Sequence, residues 1–165
     1  MKTFRWKIVL PVAVVLVATA VVLFNHKLSS PTLPQNIGEL ALVHQVEGDR
    51  ANEILNRMHD KEVTPSKNMI GMYAGGFASA VVYLSVYRSE GDALRAYEKM
   101  ARRIENGNPI FSGYRPVRIE DMDASFCVGQ GQDHYFFVTK DMLYWFAVDT
   151  TIAERVAAKF IRSLR

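Results

Sequence analysis

From Ile8 to Phe24 the chain runs seventeen residues without a charge, IVLPVAVVLVATAVVLF. That length is at the short end of what crosses the hydrocarbon core of a bilayer as a helix. Trp6 and Lys7 precede the run, and Asn25, His26 and Lys27 follow it, so both ends carry residues suited to the membrane–water interface. Lys2, Arg5 and Lys7 lie on the amino-terminal side and Lys27 on the other, a bias that predicts a cytoplasmic amino terminus and an extracytoplasmic remainder. Pro11 falls in the first turn, where its missing N–H is tolerated. Ala18-Thr19-Ala20 also fits a signal-peptide cleavage site, with Ile8 to Val17 as the apolar region. The apolar residues Val21 to Phe24 beyond that point favour an uncleaved anchor. The expectation is a single-pass protein of a cell inner membrane with its folded part in the periplasm or its equivalent.

The expected organisation is a basic flank at 1–7, an anchor at 8–24, a polar linker at 25–36 and one α+β domain at 37–165. Ser29, Ser30, Pro31 and Pro34 suit an extended linker. Four of the twenty basic residues lie before residue 28, and no acid occurs before Glu39. The basic balance of the chain therefore belongs to its amino-terminal segment, and the domain is close to neutral. A nucleic-acid footprint needs a basic patch on the domain and is not expected. A lone cysteine, Cys127, excludes a disulfide framework within the chain.

Periodicity divides the domain. Glu39 to Val46 reads as a strand. Gly48-Asp49 then opens a helix with the stripe Ala51, Ile54, Leu55 and Met58. Met69 to Ala74 and Ala78 to Tyr87 read as a hairpin about Gly75-Gly76. Ser89 caps a long helix with the stripe Leu94, Tyr97, Met100, Ala101 and Ile104. Tyr114 to Glu120, Ser125 to Gly129, His134 to Thr139 and Met142 to Val148 read as strands, the last two joined by Lys140-Asp141. Thr151 to Glu154 reads as a capping box opening a terminal helix. The first six elements match the ferredoxin-like βαββαβ order. The expected fold is an antiparallel sheet of that type with helices on one face, extended by further strands and a terminal helix.

Both faces of the later strands are apolar or aromatic, which a sheet covered on one side does not require. Either the added elements fold over the second face, or a partner, a second copy or a flat apolar ligand lies there. Tyr83, Tyr87, Tyr135, Phe137 and Trp145 are the expected contact surface.

Chemistry-bearing patterns are sparse. Cys127 sits in an apolar strand with no activating charge beside it, as an inert thiol does. His44, His59 and His134 lack metal-motif spacing. Met58-His59 with Met69 and Met72 is a soft-metal composition, which helix and strand packing also explains. Glu120, Asp121 and Asp123 fall between two strands as a solvated turn, without the calcium-loop pattern. No catalytic set, metal or cofactor is expected. The expected function is a non-catalytic interaction or accessory subunit of a membrane complex. The alternative is a sensor or carrier of a small apolar, haem or metal ligand, with His44 or His134 among its polar groups.

Overall fold

The computed structural model describes residues 31–59, 65–107 and 109–165. The predicted anchor and the start of the linker lie outside the described residues. Among the described residues, no helix is long and apolar enough to cross a membrane.

Eight strands form one antiparallel sheet: β1 Asn36–Ile37, β2 Leu40–Glu47, β3 Lys67–Gly75, β4 Ala78–Val86, β5 Phe111–Ile119, β6 Met122–Gly129, β7 Gln132–Thr139 and β8 Met142–Asp149. Helix α1, Gly48–His59, follows β2; α2, Glu90–Glu105, follows β4; α3, Ala153–Ser163, closes the chain after a short 3₁₀ turn at Thr150–Ile152. The spatial order is β1-β2-β3-β4-β8-β7-β6-β5. Two meanders are thus joined by one long antiparallel seam, from Ala80 opposite Val148 to Val86 opposite Met142.

This corrects the ferredoxin-like expectation. That order would set the two strands joined through the first helix parallel with another strand between them, whereas β2 and β3, joined through α1, are direct antiparallel neighbours. The crossover through α2 delivers β5 to the far edge of the sheet. Three two-residue turns, Glu120-Asp121, Gln130-Gly131 and Lys140-Asp141, then fold the chain back strand by strand until β8 meets β4. Such loops suit adjacent antiparallel strands when their first residue accepts a left-handed backbone. Glu120, Gln130 and Lys140 take φ of 56°, 52° and 56°.

Helices on both faces are the second correction. On one face, Ala51 and Leu55 of α1 pack on Ile70, and Ala101 and Ile104 of α2 pack on Cys127 and Phe136. Buried Asn68 ties α1 to this face, donating to the Asn52 side chain at 2.7 Å and accepting from Ser85 at 2.7 Å. The opposite face is filled by α3. Its Phe160 ring lies against Phe137, Tyr144 and Phe146, with centroids 6.1, 5.7 and 5.0 Å away. Val156, Ala157, Phe160 and Ile161 are all buried.

The sheet curls around α3, which touches β1 at one edge, β8 in the middle and β5 at the other edge. Ion pairs extend from α3 to both edges. Arg155 and Lys159 hold Glu39 in the β1–β2 turn, and Arg162 and Arg165 hold Glu120 and Asp121 in the β5–β6 turn. The double apolarity of the strands is therefore met within the domain, since the amphipathic terminal helix fills the second face. That helix starts without the predicted capping box. Ile152 precedes it, with no side-chain cap.

Candidate functional site

The five residues expected to form one contact surface are divided between the two faces. Tyr83 and Trp145 stand directly opposite each other on β4 and β8, on the face that carries α1 and α2, and both are half-buried. Tyr135 and Phe137 are on the other face and buried, 5% and 1% exposed. Phe137 stacks on Tyr144 and meets Phe160 of α3. Tyr87 lies just beyond β4 and is half-buried, with its backbone N–H donating to the Asp141 carbonyl at 2.8 Å. Burial pushes the phenols of Tyr83 and Tyr87 upward and that of Tyr135 to about 12.

The register brings Cys127 and His134 face to face on β6 and β7. The histidine is nevertheless committed elsewhere. Its Nε2–H donates to the Gly129 carbonyl at 2.9 Å, and its Nδ1 accepts from the Trp145 indole N–H at 2.9 Å. Those two bonds specify the neutral ring with the proton on Nε2. Burial lowers its pKa, against the opposing pull of the Gly129 carbonyl and Asp133. Phe111 meets the imidazole edge-on at 5.0 Å, and Trp145 stacks on Phe136 at 5.0 Å. Burial pushes the Cys127 thiol up to about 12, so the thiolate required of a nucleophile is strongly disfavoured. Beside this pair, the buried Ser125 hydroxyl bonds the phenols of Tyr97 at 2.8 Å and Tyr114 at 3.3 Å. These three hydroxyls lock α2 and β5 onto β6.

The remaining polar candidates do not converge. Met69 is buried on the α3 face, whereas Met72 is exposed on the other, opposite His44. Met58 is 57% exposed, and the side chain of His59 lies outside the described set. No group of three or more His, Cys, Asp or Glu able to hold a metal occurs among the described residues. Asp121 and Asp123 are engaged by Arg165 and Arg118. They border an open cleft of about 490 Å³ with Leu94, Tyr97, Met122 and Val138.

Large apolar side chains do reach solvent. Val43, Met58 and Met72 are 63%, 57% and 40% exposed on β2, α1 and β3, three neighbouring elements. Val43 sits where a bulge interrupts the β2–β3 register, so the local pairing does not turn it inward. Sequence periodicity placed Met58 in the α1 stripe and missed Val43, because neither a bulge nor the limit of a helix footprint is written in residue spacing. Phe77, in the β3–β4 turn, is fully exposed.

The chain matches no family model, no curated protein and no solved structure.

Proposed function

We propose that this chain is a membrane-anchored, extracytoplasmic interaction domain, an accessory subunit that acts by contact with a protein partner. The apolar run at 8–24 supplies the anchor, and the positive residues before it set the amino terminus in the cytoplasm. The observation that carries the reading is the exposed set Val43, Met58 and Met72 on three elements that pack against one another. Exposed apolar side chains grouped in this way fit a protein interface better than an isolated surface leucine does. The surface is recast from the one expected from sequence, since Tyr135 and Phe137 are already covered by α3.

The test is isolation of tagged full-length protein from its own membrane in mild detergent, beside the double variant Val43→Glu, Met72→Glu. A stoichiometric partner that survives high salt with the native chain and is lost with the variant supports the reading. Recovery of the native chain alone, or equal partner recovery with both, retires it. A second reading, binding of a small ligand, rests on the cleft beside Leu94 and Tyr97. A ligand-induced rise in melting temperature that Leu94→Glu abolishes would favour it instead.

A further inference from the structure

The His134 imidazole is enclosed on the face of the sheet that carries α2, and it is 3% exposed. Its Nε2–H donates to the Gly129 carbonyl and its Nδ1 accepts from the Trp145 indole N–H, both at 2.9 Å. Phe111, at the start of β5, covers it, with its ring 5.0 Å from the imidazole and 5.1 Å from the Trp145 ring. The elements packed around it bring uncharged groups to this side. β6 sets Cys127 opposite the histidine, and burial keeps that thiol protonated. β8 brings Ala147 and Trp145. α2 turns Tyr97, Met100, Ala101 and Ile104 to this cluster, whereas its Arg102, Arg103 and Glu105 are exposed. β5 adds Phe111 and Tyr114. The charge that acts on the ring is Asp133, its neighbour in β7. Strand alternation puts that carboxylate on the opposite face, where it accepts from the Thr150 hydroxyl at 2.9 Å.

The cover is lightly fastened. β5 is an edge strand, paired with β6 on one side. Two register pairs, Phe111 with Gly129 and Ser112 with Val128, precede an irregularity that ends at Arg115. Within it Gly113 takes φ of 64°, a left-handed backbone that glycine adopts without strain. Beyond it the Tyr114 hydroxyl is tied to Ser125. Residues 110–112 thus form a short strap with a hinge at Gly113. The strap seats where β6 lacks a side chain, since a methyl group at Gly129 would collide with the Phe111 ring and the Ile110 carbonyl.

A proton on Nδ1 sets two donors against each other, the new N–H and the indole N–H of Trp145. The ring also becomes a cation with no carboxylate on its side of the sheet, a costly state to keep from water. We propose that residues 110–112 are an acid-released strap: protonation of His134 breaks its bond to Trp145, and the strap lifts from Gly129 so that water reaches the imidazolium. The released state uncovers the half-buried Trp145 ring and frees Phe111 beside exposed Ile110, an apolar patch that the domain keeps closed at neutral pH. Burial holds the closed ring below its ordinary 6.5, whereas the open ring titrates normally. The open population therefore grows as the pH falls below 6.5, by up to about tenfold per pH unit. The strap is on the β5 edge of the sheet, apart from Val43 on β2 and Met72 on β3 at the other edge.

Hydrogen–deuterium exchange of the full-length protein in mild detergent, read by mass spectrometry from about pH 7.5 to about 5.5, tests this. Each rate is corrected for the intrinsic rate at its pH. The expected result is that the strap and its β6 partners, Val128 and Gly129, exchange faster than the β4–β8 seam at every pH. Their corrected rates rise by up to about tenfold per pH unit below 6.5. His134→Gln, whose amide can make both bonds without titrating, should keep the strap closed and remove that rise. Gly129→Ala leaves the titrating groups in place, and its strap should exchange fast at every pH. A pH-independent rate in the native strap overturns the proposal. So does exchange of strap and seam at one common rate, which is global unfolding. Were His134→Gln not to fold, Gly129→Ala decides: a strap that still exchanges slowly at neutral pH overturns the proposal as well.

Discussion

Phe160→Ala tests whether α3 is the second half of the core. The ring is fully buried among Phe137, Tyr144 and Phe146. Removing it takes roughly 150–200 Å² of apolar surface out of the core, about 4–5 kcal/mol at 25 cal/mol/Å². Measured Phe→Ala losses of about 3–5 kcal/mol include the cavity left behind. The expected cost is therefore about 4 kcal/mol, a large part of the roughly 5–15 kcal/mol that holds a domain folded. For a domain of this size it corresponds to a fall in Tm of roughly 10–15 °C. Urea unfolding of the full chain in mild detergent, followed by tryptophan fluorescence and circular dichroism, measures it. The control is Arg162→Ala, an exposed residue of the same helix whose ion pair to Glu120 contributes no more than about 1 kcal/mol. A loss below about 1 kcal/mol for Phe160→Ala, close to the control, would refute the reasoning, because α3 would then be an ornament on a sheet stabilised from one face.

Five further outcomes are expected. Trp145→Phe leaves the buried His134 Nδ1 without its donor and lowers stability by about 1–3 kcal/mol, read by urea unfolding. His134 titrates below its ordinary 6.5 in the folded state, so its contribution is full above pH 6.5 and declines as the pH falls below it; His134→Gln should flatten that limb of the stability–pH curve. Glu39, held at about 2 by Arg155 and Lys159, favours the fold above its ordinary 4.5, and the benefit fades as pH drops from 4.5 toward 2; Glu39→Gln should remove that dependence in acid unfolding curves. Native Cys127 should resist a thiol reagent that modifies it fully in urea, and Lys140→Gly should stabilise by a few tenths to about 1 kcal/mol by relieving a left-handed backbone.

Much of the local structure was legible in the residues. Ser89 caps α2 as expected, accepting from the Asp92 backbone N–H. The apolar runs became strands within one to three residues of their predicted limits, because alternation and turn chemistry act over short distances. The site was less legible. Tyr83 and Trp145 share a face because their strands, about sixty residues apart in the chain, pair directly, and residue spacing does not show that. Tyr135 and Phe137 have the same composition and spacing as an exposed aromatic surface. What distinguishes them is the helix lying over them.

The sequence by itself set the uncharged run at 8–24, the near-neutral domain, the order of strands and helices, and the doubly apolar strands that had to be covered on both sides. Only the tertiary structure decided what covers them. The β4–β8 seam and the curl around α3 depend on which distant segments meet, and hydrophobic burial rewards any partner that removes water equally well. The bulge at Val43 and the bonds that orient the His134 ring come from register, which is fixed when the whole sheet closes.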